Sequence, residues 1–239
     1  MDRRLSAVPR GVRWGLVGAF VLQLAFAAVQ PPPRASAEAL PALPSAAVLR
    51  IASLGDPIAL AQMLTLYLQA FDNQPGVSIP FLQLDYARVE AWLERILQLD
   101  PAGQYPLLLA AQVYAQVPDE RKQRQMLELI YRHFLADPSR RWPWLAHAAI
   151  IARHRLEDQA LALRYAQALR THATAAVPGW ARQMEIFLRE DMGEYEAAKV
   201  LLGGLLDSGT VTDPHELAFL IQRLKHLEAA EKSSRASKK

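Results

Sequence analysis

The sequence predicts an all-α fold preceded by one hydrophobic N-terminal segment. Leu and Ala dominate the 239 residues, whereas the runs of Val, Ile and Thr that are typical of strands are scarce. Hydrophobic residues make up 51% of the chain, which is enough for a packed core. Prolines recur at a nearly constant interval between stretches of helical periodicity, and this repeat predicts helix pairs stacked in sequential order.

The first element is a membrane-directed segment over residues 14–30, seventeen positions without a charge that follow four Arg and precede three prolines. A helix of this length spans about 25 Å, slightly less than the roughly 30 Å hydrocarbon core of a bilayer. Both an uncleaved anchor and a cleaved signal peptide fit, since small-x-small sites occur at residues 25–27 and 35–37. A buried or misread segment is the third interpretation.

Either membrane interpretation predicts the same topology. The basic flank, residues 1–13, stays in the cytoplasm and the remainder crosses the membrane. We therefore expect a single-pass protein of the inner membrane with its domain in the periplasm, or a periplasmic protein if the segment is cleaved. Residues 31–54 are rich in Pro and Ala, and we expect them to form a partly extended linker.

A repeat is marked by prolines at Pro101, Pro138, Pro178 and Pro214, at steps of 37, 40 and 36. Three of them follow Asp, and the residue before a proline is disfavoured in the α region, so each marks a helix boundary. Between them, Asp119, Asp158 and Glu194 follow short turns and can stabilise the start of the next helix. Amphipathic stretches follow these acids, with apolar residues three, four and seven apart.

This pattern of helix, short turn, helix and proline, with Ala at the helix contacts, resembles the tetratricopeptide repeat over residues 55–229. The period of 36 to 40 is longer than the usual 34. The resemblance implies a right-handed helical-hairpin solenoid of about four helix pairs plus a capping helix. The chain is also similar to singly anchored bacterial helical proteins that have no assigned activity.

The ends of the repeat domain are less regular. An opening pair is predicted at residues 56–71 and 85–99, separated by a loop at residues 73–84 that is either disordered or a specialised surface element. A helix over residues 215–229 should cap the stack, and residues 230–239 should form a disordered tail. In the last full unit, Gly203 and Gly204 suggest a close backbone contact, and Gly209 suggests a helix C-cap.

The net charge of +3 does not indicate nucleic-acid binding, because the basic excess lies at the two ends. Residues 1–37 hold five basic residues and one acidic, and the tail from Glu228 holds four and two. The whole chain has 27 basic and 24 acidic residues, so without these two ends 18 basic and 21 acidic residues remain. The central part of the chain therefore carries a net charge of about −3. This part lacks the basic stripe that phosphate contacts require.

No catalytic, metal or cofactor site is predicted. The chain has no cysteine, which excludes disulfides and a thiolate nucleophile, and it lacks the GxxxxGK[ST], GxGxxG, GxSxG and HExxH motifs. His147 and His154 could share a helix face but have no third ligand. The acids of residues 185–196 are interpreted as solvated charges around a helix turn, some of them paired with Arg182 or Arg189.

The tryptophans at the entries of two consecutive units are the most informative group. They pack between repeats, or they line a concave face and bind a partner protein, with neighbouring arginines offering carboxylate contacts. The candidate partner-binding residues are Arg140, Arg141, Trp142, Trp144, Trp180 and Arg182.

The function expected from these features is a membrane-anchored, extracytoplasmic protein–protein interaction scaffold without catalytic activity. Two alternatives are a structural subunit of a bacterial envelope complex, which could pair through its N-terminal helix, and an unrecognised cell-envelope enzyme. Solenoids offer extended surface rather than a deep cleft that excludes water, which favours binding over catalysis. The expected partners are a protein and the membrane; no nucleic acid and no small-molecule substrate are expected.

Overall fold

The computed structural model describes residues 9–30 and 37–237, the last four of these by their backbone only. Helices account for most of these residues, and a two-stranded hairpin is the only sheet among them, so the all-α prediction is confirmed. The described chain forms two compact units. One comprises residues 9–30, 37–38 and 73–78, and the other comprises residues 39–72 and 79–237.

The smaller unit contains the N-terminal helix α1, Arg10–Val29, and a short hairpin of β1, Asn73–Gln74, and β2, Val77–Ser78. The hairpin turns at Gly76, whose φ of 77° favours glycine. The Gln74 side chain accepts a hydrogen bond from the backbone N–H of Glu38 at 2.8 Å and donates one to its carbonyl at 2.9 Å. The loop predicted over residues 73–84 is thus an ordered element in its first half.

None of the side chains of α1 is buried, and the helix has a mean hydropathy of 1.7 over its most apolar window. With 20 residues it is about 30 Å long, which matches a bilayer core. By length and composition it could cross a membrane, and an N-terminal signal sequence has the same properties.

The larger unit contains eleven helices among its described residues, and two 3-10 turns at Phe81–Gln83 and Tyr114–Gln116. The helices are α2 (Ala46–Ala52), α3 (Pro57–Ala70), α4 (Tyr86–Leu99), α5 (Tyr105–Gln112), α6 (Glu120–Ala136), α7 (Pro138–His154), α8 (Gln159–Thr171), α9 (Gly179–Arg182), α10 (Met184–Asp191), α11 (Tyr195–Asp207) and α12 (Pro214–Ser237).

Helices of the larger unit contact mainly the next helix in the chain or the one after it. α7 packs on α8; Ala148, Ala149 and Ala152 of α7 are fully buried, as are Tyr165 and Leu169 of α8. Small side chains let the two backbones approach closely, and the larger ones fill the space that remains. Burial of this kind runs from α3 to α12.

The predicted boundary residues cap most of these helices. Asp119 and Asp158 accept hydrogen bonds from the backbone N–H groups of Lys122 and Leu161, at 3.0 and 2.9 Å. Glu194 makes no such bond, and its carboxylate binds Arg189 at 2.6 Å instead.

The segment expected to be a linker differs in the structure. Residues 31–36 lie outside the described residues, but Leu40 and Leu49 are buried and α2 begins at residue 46. The indole Nε1 of Trp92 donates a hydrogen bond to the carbonyl of Pro41 at 3.0 Å. Apolar burial and this bond hold residues 40–52 against the helices, despite their Pro and Ala content.

The expected disordered tail also differs, because α12 continues to Ser237; residues 238–239 lie outside the description. Glu231 pairs with Lys199 of α11 at 2.6 Å, and the preceding turn buries Leu227. A tertiary contact therefore extends the helix past the point where its apolar pattern ends.

The glycines of α11 were expected to permit a close backbone contact, and that expectation is wrong. A Cβ placed on Gly203 or Gly204 would meet no atom within 4 Å. Gly209 follows the end of α11 with a φ of 64°, as predicted for a C-cap glycine.

Candidate partner-binding face

Two of the predicted tryptophans contact each other between α7 and α9. The ring centroids of Trp142 and Trp180 are 5.5 Å apart and the ring planes meet at 75°, an edge-to-face arrangement. Trp142 is half-buried, whereas Trp180 exposes 52% of its surface. The pair thus joins two helices and still presents an indole ring to solvent.

Trp144 turns toward the preceding helices. Its Nε1 donates a hydrogen bond to the side-chain oxygen of Gln104 at 2.7 Å. The ring lies at the edge of a mainly apolar groove of about 640 Å³ between α3, α5 and α7, which we term groove 1. Leu66 and Tyr105 line this groove and are exposed, and Tyr105 is held by a hydrogen bond from Gln69 at 2.7 Å.

A second apolar groove, groove 2, lies between α7, α9 and α10 and has a volume of about 310 Å³. Exposed Ile150 and Trp180 form part of its walls, together with Phe187. Its polar lining residues are His154 and Asp191, and the Asp191 carboxylate already binds Arg153 at 2.6 Å. The groove is therefore suited to apolar side chains.

The three predicted arginines have different environments. Arg140 is exposed and pairs with Asp137 at 2.9 Å. Arg182 lines a separate cavity of about 280 Å³ with Arg170 and Glu216. Neither Arg140 nor Arg182 lines groove 1 or groove 2.

Arg141 is only 4% exposed. Its guanidinium donates hydrogen bonds to the carbonyl of Pro101 at 2.6 Å and to Nδ1 of His133 at 3.0 Å. Burial lowers the pKa of Arg141 from its ordinary value. The prediction that Arg141 belongs to a partner-binding surface is therefore wrong. Its guanidinium instead connects structural elements inside the fold.

A buried carboxylate was missed in the sequence, where the acids of residues 185–196 were interpreted as solvated. Glu185 is 2% exposed and accepts hydrogen bonds from Arg170 at 2.8 Å and Arg189 at 3.0 Å. Burial alone would raise the pKa of Glu185, but the hydrogen bonds from these arginines and from Gln167 outweigh it and lower that pKa. Only the flanking apolar residues Met184 and Ile186 hinted at burial.

Within the described residues, no group of three or more His, Cys, Asp or Glu side chains could hold a metal ion. His147 is half-buried, and burial lowers its pKa. His154 lies at groove 2. The two histidines thus have different surroundings on α7, one in the helix packing and one at a groove.

No protein-family profile, curated protein or solved structure matches the chain. The helix packing, the two grooves and a further, mainly apolar cavity of about 660 Å³ beside α11 are the features from which a function can be inferred.

Proposed function

We propose that the protein is a membrane-anchored, extracytoplasmic scaffold that binds a segment of another protein along the first helices of its successive helix pairs. The observation that carries this proposal is the position of the grooves. Groove 1 is lined mainly by α3, α5 and the residues just before α5, together with Trp144 of α7, and groove 2 by α7, α9 and α10. Of the intervening helices, α6 and α8 contribute no residue to either groove, and α4 contributes only Ile96, to groove 1. We define the surface that contains both grooves as the first-helix face.

Bonds between neighbouring pairs support a solenoid in this proposal. Several side chains bind a residue about one repeat away: Arg132 binds Glu94 at a separation of 38 positions, and Arg153 binds Asp191 at the same separation. The hydrogen bond from Gln69 to Tyr105 spans 36 positions. Contacts at one repeat length are expected of stacked units that touch only their neighbours. We infer a right-handed, tetratricopeptide-like stack of about four pairs, capped by α12.

The grooves favour a partner segment with apolar side chains. Tyr105, Trp144 and Trp180 are large, amphipathic anchors of the kind that dominate binding energy in protein interfaces. Each is supported by a contact to another element, so little conformational entropy is lost when a partner binds.

Binding can be tested by purifying the full chain from its membrane in mild detergent. We expect a protein partner to co-purify with the wild type and with Leu135→Ala, which truncates an exposed apolar residue of α6 that lines neither groove. Trp180→Ala should retain several-fold less of it. Equal recovery with all three proteins contradicts the proposal, and a stoichiometric complex that survives high salt indicates a structural subunit instead.

In this proposal α1 remains in the inner membrane and the larger unit lies in the periplasm. The absence of native cysteine permits a clean topology test with single-cysteine variants. A membrane-impermeant maleimide should label Val200→Cys in spheroplasts and should leave Ser6→Cys unlabelled until the membrane is permeabilised. The mass of the mature N-terminus distinguishes an anchor from a cleaved signal peptide, and labelling of Ser6→Cys alone contradicts the topology.

A further inference from the structure

An apolar surface is exposed where α2 meets α3. The two helix axes are bent by 108° at this point, and we term residues 48–58 the α2–α3 corner. Its side chains Val48, Ile51, Leu54 and Ile58 are all exposed, Ile51 to 77% and Leu54 to 93%. Isolated exposed apolar residues are common on soluble proteins, but four within eleven positions form a patch.

The backbone of the corner is unusual at its tip. Leu54 has a φ of 48° and is followed by Gly55 with a φ of 92°. A bulky side chain rarely adopts the left-handed region, because its Cβ crowds the following carbonyl oxygen. The backbone of the turn is therefore strained at Leu54, the residue whose side chain is the most exposed of the four. Such strain frequently marks a functional segment.

The corner also carries almost no charge. Between Glu38 and Asp72 the sequence contains only Arg50 and Asp56 as charged residues. Asp56 caps α3 by accepting a hydrogen bond from the backbone N–H of Ala59 at 2.9 Å, so its charge is offset by the helix N-terminus. Arg50 is exposed and adds a cation beside the apolar side chains.

We propose that the α2–α3 corner inserts into the outer surface of the membrane that holds α1, as a second, interfacial contact. This inference rests on the proposed anchoring. Leu40 is buried in the larger unit and lies ten positions beyond Gln30, so the chain between them reaches at most about 36 Å. The larger unit that carries the corner is therefore tethered within that reach of the membrane.

The chemistry of the corner fits an interface between lipid headgroups and acyl chains. Such an interface takes up apolar side chains without needing a shaped pocket, and it attracts cations to anionic headgroups. Ile51 and Leu54 supply the apolar contact and Arg50 the cation. A second copy of the chain is the competing occupant, and the experiment below separates the two.

The test uses the full chain reconstituted in vesicles of phosphatidylethanolamine and phosphatidylglycerol. A single cysteine at Leu54→Cys, or at Val200→Cys as the matched exposed control, carries an environment-sensitive fluorophore. We expect nitroxide-labelled lipid to quench the Leu54 probe several-fold more strongly than the Val200 probe. The emission of the Leu54 probe should also shift to the blue.

Three results would overturn the inference. A chain that floats with the vesicles while both probes remain in water refutes the corner contact alone. A Leu54 probe that is blue-shifted but not quenched by labelled lipid reports a protein partner, such as a second copy. A chain that does not float refutes both the anchor and the corner contact.

Discussion

The ring of Trp142 packs edge-to-face against the ring of Trp180, with the centroids 5.5 Å apart. By spacing, Trp144 and Trp180 are the equivalent residues, since they are 36 positions apart. In the structure both rings contact the preceding pair, Trp144 through Gln104 and Trp180 through Trp142. The short Trp-Pro-Trp segment thus links α7 to helices on both sides.

This contact predicts a measurable coupling between the two indoles. Edge-to-face pairs contribute about 1 kcal/mol beyond the area they bury, so the double-mutant cycle of Trp142→Ala and Trp180→Ala should give roughly that interaction energy in urea unfolding. The same cycle with Trp144→Ala and Trp180→Ala serves as the control and should be additive. Equal interaction energies in both cycles would contradict a specific contact between Trp142 and Trp180.

Glu185 should be the most sensitive carboxylate of the larger unit. The substitution Glu185→Gln leaves Arg170 and Arg189 without their charged acceptor. Hydrogen bonds to charged groups contribute about 1.5–3 kcal/mol each to stability. We expect the free energy of unfolding to fall by about 2 kcal/mol or more. The control Glu128→Gln removes a partly exposed pair with Arg164 and should cost less than about 1 kcal/mol.

The stabilisation by Glu185 should depend on pH in one direction. Its pKa is lowered in the folded protein, so the carboxylate stabilises the fold above the ordinary glutamate pKa of about 4.3, and this contribution is lost as pH falls through the folded pKa. The stability difference between wild type and Glu185→Gln should therefore be constant near neutrality and shrink in acid. If the stability difference between wild type and Glu185→Gln grows below about pH 4.3, the pKa of Glu185 is not lowered in the folded protein.

The glycines of α11 should weaken the helix without serving a packing role. Space is open beside Gly203 and Gly204, so Gly203→Ala and Gly204→Ala should each raise the free energy of unfolding by about 0.5–1 kcal/mol through helix propensity. Gly193→Ala is the control: its φ of 76° disfavours a Cβ, and we expect destabilisation by about 1 kcal/mol. Destabilisation by the α11 substitutions would reveal a contact at this surface.

Local chemistry made much of the fold predictable. The pair expected at residues 56–71 and 85–99 is found as α3 and α4 with nearly the same bounds, because Asp caps and apolar periodicity act within one or two turns. Asp137 caps α7 as the Asp-Pro step predicts. The same step at Asp100 does not begin a helix, since α5 starts only at Tyr105.

Features that depend on distant partners were not predictable. Arg141 is buried because it reaches the carbonyl of Pro101, 40 positions away, and Glu185 is buried because Arg170 approaches from another helix. The 40 positions between Arg141 and Pro101 are one repeat length, but spacing alone does not select a backbone carbonyl as the partner, and the 15 positions between Glu185 and Arg170 match no repeat. The tryptophans were recognisable as a group, but the division of their contacts between two neighbouring pairs depends on side-chain directions that periodicity does not specify.

The most direct test of the scaffold is site-specific photocrosslinking in cells. A photoreactive amino acid replaces Tyr105 in groove 1 or Trp180 in groove 2, with the exposed position 135 on α6 as the control. We predict that both groove positions capture the same protein and that the control does not. Capture of different proteins by the two grooves, or equal capture from position 135, would contradict a single binding face on the first helices.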